Sequence, residues 1–231
     1  MRRVILLMAT MAVALVAASG VAYALTVVQC DGTGDQDPAT GQCQGTDQND
    51  DITGTDQADL IFALGGFDEV SAGGGEDTLN GGSSADNLYG QAGNDTYFGG
   101  QGNDYFVDVS GNDVMNGGGG ADYIEGQAGN DIIRGQAGDD NSIGAFYTAL
   151  YGGEGDDELH GSQGEDGLEG DAGTDKHFGG RDNDFIDAAV NETPATDAAD
   201  LVDCGSGYDT ARVRPMDMVS ENCEEVTEIT S

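Results

Sequence analysis

Gly99-Gly100-Gln101-Gly102-Asn103-Asp104-Tyr105-Phe106-Val107 and, after one intervening unit, Gly117-Gly118-Gly119-Gly120-Ala121-Asp122-Tyr123-Ile124-Glu125 share one pattern. Each has glycine at its first and fourth positions, aspartate at its sixth and an apolar residue at its eighth. Working outward in this frame, the sixth-position aspartate returns every ninth residue as Asp50, Asp59, Asp68, Asp77, Asp86, Asp95, Asp104, Asp113, Asp122, Asp131 and Asp140. After one interruption the beat resumes with Asp157, Asp166, Asp175 and Asp184. Eleven units thus run from Gly45 to Ile143 and four more from Gly152 to Asp187. The chain holds 44 acidic residues against 7 Lys and Arg, so a carboxylate fixed at one phase needs an external cation, and calcium leads the candidates.

Glycine fills the first position in 12 of the 15 units and the fourth in 11, the places where a turn wants positive φ or a close backbone approach. The eighth positions read Ile52, Ile61, Val70, Leu79, Leu88, Tyr97, Phe106, Met115, Ile124, Ile133, Ser142, Leu159, Leu168, His177 and Ile186. One such residue per unit is a thin core, sufficient only when every unit stacks on its neighbours. Short strands alternating with Gly/Asp turns meet that demand. A helix does not, because a nine-residue period this rich in glycine offers no 3.6-residue stripe.

The units at 99–107 and 117–125 resemble the RTX, or haemolysin-type, calcium-binding nonapeptide repeat, whose pattern is G-G-x-G-x-D-x-U-x. The resemblance implies an all-β fold, a right-handed parallel β-roll (a solenoid) with two units per turn and calcium held between successive turns. It implies that all fifteen aspartates named above are metal ligands, each sharing an ion with the aspartate eighteen residues on while turn carbonyls complete the oxygen shell. Roughly ten calcium ions follow from that arrangement. Folding and binding are then one event.

Outside the regular frame, residues 1–24 read as a cleavable export signal, with Arg2 and Arg3 before an apolar run and Ala22-Tyr23-Ala24 as the cleavage motif. Residues 25–44 are expected as an N-terminal cap, 45–187 as the roll and 188–231 as degenerate repeats with a closing cap. A secreted, extracellular and bacterial protein follows from the signal. Its four cysteines, Cys30, Cys43, Cys204 and Cys223, then favour disulfides over free thiols. Of three possible pairings, Cys30 with Cys43 and Cys204 with Cys223 is favoured, because each closes a short loop beside a chain end. The acidic stretch from Asp31 to Asp37 lacks EF-hand spacing and is assigned no ion.

The frame slips by one residue between Asp140 and Asp157. Residues 144–151 can be read as a clipped unit with Leu150 in the core and Thr148 where aspartate belongs, leaving calcium missing on one side. The alternative is a loop whose Phe146 and Tyr147 cover the roll. Asp108, Ala63, Ala72 and Asp182 replace expected glycines and are read as weakened turns.

The charge excludes nucleic acid and anionic membranes as partners, and no membrane-inserting segment is expected. No GxSxG, HExxH or Ser-His-Asp order accompanies the two histidines, so catalysis is not expected. A calcium-dependent enzyme or an adhesin on the same roll is the alternative, while the third positions form no Thr ladder and ice binding is demoted. If units alternate between two sheets, one outer face shows Leu60, Thr78, Thr96, Val114 and Ile132 with Phe62 and Phe98 alongside. That more apolar face is expected to meet a surface carbohydrate or a protein. The other shows Asp51, Glu69, Asn87, Tyr105 and Tyr123.

Overall fold

A computed structural model describes residues 13–16, 22–30, 42–141, 149–189 and 198–230. The export signal lies largely outside them, as do the Asp31–Asp37 stretch, Ser142, Phe146, Tyr147, Thr148 and most of the linker before Ala198. Of the first 24 residues, Val13–Val16 pairs antiparallel with Ala22–Gln29. Among the described residues no helix is long and apolar enough to cross a membrane.

The nine-residue units alternate between two sheets, one of twelve and one of ten strands, so that two units complete one turn of a parallel β-solenoid of about ten turns. Register follows the repeat: Val114 pairs with Thr96 and Ile132, and Phe106 with Leu88 and Ile124. Every described eighth-position residue from Ile52 to Ile186 is buried, and Val202 and Ala211 extend the same column. Each large apolar side chain so enclosed contributes about 1.5–3 kcal/mol, and the stack joins these contributions into one core. Tyr97 and Phe106 stack within it at 5.5 Å.

The slip after Asp140 resolves in the sheet pairing. Leu150 pairs with Ile124 and Leu168, and is buried as expected. The next strand, Glu158–Gln163, pairs with Ile132–Ala137 across 26 residues. The strand that starts at Leu150 therefore takes the place expected for Ser142, beside Tyr123–Ala128. The separation between paired residues grows from 18 to 26 across this stretch, and the alternation of sheets survives.

The turns use glycine in two ways. Fourth-position glycines such as Gly93 and Gly129 have φ near +147°. Positive φ also recurs at the second position, where the repeat pattern has glycine, and there Leu64, Gln91, Gln127 and Gln136 adopt it without being glycine. First-position glycines are required by proximity instead: a Cβ on Gly135 would lie 1.9 Å from the Asp140 carboxylate.

Both ends are pinned by the favoured disulfides, Cys30–Cys43 and Cys204–Cys223. Near the C-terminal end Arg212 pairs with the buried Asp187. His177 is the misfit of the core column. It is fully buried in register with Leu159 and Val202, and neither ring nitrogen has a hydrogen-bond partner. Burial pushes its pKa down to about 4, so it is neutral at pH 7. His177→Leu removes an unsatisfied polar group from an apolar column and is expected to stabilise the calcium-loaded roll by about 1–2 kcal/mol. A thermal melt that fell instead of rising would show that the imidazole has a structural role there.

Candidate metal centre

The sixth-position aspartates start just before the inward-facing eighth residues, and the strand pleat turns them into the edges of the roll. The structure sorts them into two columns. One contains Asp50, Asp68, Asp86, Asp104, Asp122, Asp140, Asp166 and Asp184, and the other Asp59, Asp77, Asp95, Asp113, Asp131, Asp157 and Asp175. Along each column the backbone N–H of one aspartate donates to Oδ1 of the aspartate one turn on, at 2.7–3.0 Å. The i to i+18 relation expected from the repeat is thus a direct contact.

The columns run unbroken past the insertion. Asp140 N–H reaches Asp166 Oδ1 at 3.0 Å and Asp131 N–H reaches Asp157 Oδ1 at 2.7 Å, each across 26 residues. The expectation of a side without aspartate there is corrected, because Asp140 stays in line between Asp122 and Asp166. The C-terminal linker shifts both columns alike. Asp175 N–H meets Asp200 Oδ1 and Asp184 N–H meets Asp209 Oδ1, each 25 residues on. Beyond them Asp200 N–H meets Asp217, and Asp209 N–H meets Glu224 Oε2 at 3.0 Å. Asp200 and Asp209 are buried members of the columns that the broken frame concealed.

The second carboxylate oxygen identifies what is needed. Among the described residues, Oδ2 is buried and accepts no hydrogen bond in fourteen aspartates, from Asp68 to Asp184 and again at Asp209. The point where a first-position side chain would begin is flanked by other acceptors: a Cβ on Gly81 would lie 2.6 Å from Asp86 Oδ2 and 2.8 Å from the Gly99 carbonyl one turn on. The same pair of oxygens recurs at Gly99, Gly117, Gly126 and Gly152. Carboxylate and carbonyl oxygens that converge without a donor suit a hard cation that takes six to eight oxygens, and glycine keeps the space clear. The donor set therefore fits calcium. Asp50 and Asp59 differ, since Thr46 and Thr55 direct a backbone N–H and a hydroxyl to their Oδ2 atoms.

In the absence of an ion, burial pushes these carboxyls up, and at most positions neighbouring carboxylates add to it. Asp68, Asp77, Asp95, Asp104, Asp131 and Asp175 rise to about 6. Asp86, Asp122, Asp140, Asp166 and Asp184 rise to about 7, and Asp157 to about 8. The N–H that each accepts works in the opposite direction and does not prevail.

A second ladder escaped the sequence reading. Fifth-position side chains accept a backbone N–H from one turn on, as when Asn94 receives Asn112 N–H at 2.9 Å and Asn112 receives Asn130 N–H at 2.8 Å. The recurring Asn-Asp dipeptide is its signal: asparagine ties the turns while aspartate builds the columns.

The outer faces divide as the alternation predicts. Leu60, Thr78, Thr96, Val114 and Ile132 lie on the ten-stranded sheet, with Phe98 exposed. The twelve-stranded face carries more than its seventh positions showed. Tyr89, Tyr105, Tyr123 and Tyr151 form a ring ladder with centroid spacings of 6.3, 5.0 and 5.4 Å. A cavity of about 530 Å3 beside it is lined by Tyr123, Tyr151, Glu125 and Glu169 among others.

Fold and columns together define a parallel β-roll whose turns are lined with calcium-type oxygen ligands. The family model described as the RTX calcium-binding nonapeptide repeat matches in four copies, over residues 44–79, 71–106, 109–141 and 151–186. The chain belongs to that family. No curated protein matches it.

Proposed function

We propose that this chain is an exported calcium-binding structural or surface-interaction module that folds on its ions and performs no catalysis. The observation that carries the reading is the set of fourteen buried Oδ2 atoms with no donor, repeated at one phase along both columns. Each of the fifteen regular aspartates is assigned as a ligand, joined by Asp200 and Asp209. Roughly ten ions fill most of the fourteen positions. Asp50 and Asp59 are the weakest members, since threonine already supplies donors to them.

Residues 1–24 are assigned as the removed signal, and 25–44 and 188–231 as caps that cover the open ends of the roll. The absence of catalysis is supported by the state of the histidines. His177 is enclosed in the core, and His160 is held by Glu158 at 2.8 Å and stacked on Phe178. The ten-stranded face is proposed as the contact for a surface carbohydrate or a protein. Val114→Lys with Ile132→Lys is expected to alter attachment or oligomeric state while calcium uptake stays unchanged.

Equilibrium dialysis of the signal-free chain against calcium tests the central reading, with magnesium as control. Uptake of several ions per chain is expected, together with a loss of uptake when Asp104, Asp122 and Asp140 are changed to Asn. A chain that takes up no calcium, or an equal amount after those changes, would overturn the assignment.

A further inference from the structure

One turn of the roll breaks the glycine rule with a charged residue, and it is built differently from the rest. The first position of the unit at 108–116 is Asp108, in a column where twelve of fifteen residues are glycine because a Cβ would crowd the carboxylate of its own unit. Around it the strand Tyr105–Val107 has only three residues, where its neighbours on the same sheet have six. The turn that follows pushes Val109 outward and directs the N–H groups of both Val109 and Ser110 at the Gln91 carbonyl.

The side chain so accommodated is enclosed and oriented. Asp108 is 1% exposed. Its Oδ1 accepts the Tyr97 hydroxyl at 2.7 Å and its Oδ2 the Ser110 N–H at 3.1 Å. The Tyr97 hydroxyl in turn accepts Gly90 N–H at 2.6 Å, which fixes the direction of its proton. Asp95 and Asp113, each 1% exposed, bring a carboxylate oxygen to the same place, and one oxygen from each of the three lies within 4.8 Å of the others. Asp95 Oδ2 and Asp113 Oδ2 have no hydrogen-bond donor at all.

Three enclosed carboxylates, two with an oxygen unanswered, form a stronger demand for positive charge than the two that face each other elsewhere along the columns. Ligand charge is one of the quantities that set calcium affinity in oxygen sites. We propose that Asp95, Asp108 and Asp113 form a three-carboxylate calcium site, distinct from the regular positions and the first to fill. The inference rests on the calcium reading given above and deepens it at one turn. Burial and Asp108 together push the Asp113 carboxyl well above the usual range, and Asp108 adds to the upward shifts of Asp77, Asp95 and Asp131.

The competing account needs no ion: Asp108 and Asp113 share one proton as a carboxyl–carboxylate pair. Asp108→Asn separates the two, since it retains hydrogen bonding and shape but removes the third charge. Asp108→Gly restores the residue that the repeat prefers and should leave the fold intact.

Terbium(III) bound to the full signal-free chain reports the site directly, because the chain has no tryptophan and emission is sensitised through tyrosine. Calcium displacement of limiting terbium then gives the calcium affinity. In the unsubstituted chain one equivalent is expected to bind at least about tenfold more tightly than the remainder. Both variants should lose that first phase while keeping the later, cooperative uptake, and Tyr97→Phe should dim the first phase without removing it. Unchanged first-phase affinity in Asp108→Asn and Asp108→Gly would overturn the proposal in favour of the shared proton. One tight ion without further uptake would uphold this site and overturn the assignment of the columns. Failure of the unsubstituted chain to bind either ion would overturn both.

Discussion

Removal of calcium at pH 7.5 is expected to convert the signal-free chain from β-roll to coil, and acidification in chelator to restore much of the β signal. Without ions, each column stacks carboxylates one turn apart in enclosed positions, with 44 acidic residues and few cations to offset them. The raised pKa values give the sign of the pH effect. A carboxyl whose folded pKa lies near 6 or 7, above a reference value of 3.8, holds its proton more tightly in the folded state. The ion-free roll is therefore favoured below about pH 4 and loses that support as pH rises through 6 to 7. Structurally, a proton on Oδ2 supplies the missing donor toward the acceptors at the turn, the place assigned to calcium. Far-UV circular dichroism in chelator, read from pH 7.5 down to 5, should show ellipticity returning toward the calcium-loaded value. Below about pH 6.5 the gain is opposed by His177, which the coil protonates more readily than the core does, and that opposition grows until pH nears 4. A chain equally folded at pH 7.5 with and without chelator would sink the account.

The same competition makes calcium uptake release protons. Titrated at pH 6, the aspartates near 6 and 7 are substantially protonated, so each ion displaces part of a proton from its pair. The calcium midpoint should accordingly rise as pH falls from 7.5 to 6. Magnesium, which dehydrates reluctantly and demands octahedral geometry, should substitute poorly.

Much of this was legible because a period leaves its evidence in every copy. The eighth-position column, including Leu150 beyond the slip, follows from one apolar residue per unit, and the i to i+18 carboxylate contact follows from two units per turn. What remained hidden depends on interactions that no single unit displays. A gap of seventeen residues between Asp140 and Asp157 is equally a shortened unit or an insertion after one strand; only the pairing of Leu150 with Ile124 separates them. Asp200 and Asp209 lie 25 residues beyond their column neighbours, so counting by nine misses them although the columns do not. The positive φ at Gln91, Gln127 and Gln136 has no composition signal, because tight stacking imposes a conformation that glutamine does not prefer. Asp108 looked like a lapse in the glycine pattern, and its three-carboxylate cluster appears only when Tyr97 and Asp95 are brought beside it.

Gly129→Ala is expected to be the most damaging of the small substitutions. Gly129 has φ +147°, and a Cβ there would stand 1.3 Å from the Gly111 carbonyl oxygen one turn below. Its own N–H donates at 2.7 Å to the Glu154 carbonyl one turn above, so the residue is held from both sides. Neighbouring strands are about 4.8 Å apart, and a methyl group cannot enter without opening the stack or forcing the backbone from its turn. The expected loss is about 3–5 kcal/mol, from backbone strain and overpacking combined. At saturating calcium this corresponds to a fall in Tm of about 10 °C for a domain of this size. In the calcium titration the effect should look smaller. About 4 kcal/mol spread over roughly ten coupled ions is about 0.4 kcal/mol per ion, equivalent to about a twofold rise in midpoint. Gln127→Ala, two residues earlier at an exposed position, removes no carbonyl contact of this kind and should shift Tm by less than about 3 °C. Equal melts for the two variants would show that the turn tolerates a side chain at Gly129, and that the glycine ladder serves some purpose other than close stacking.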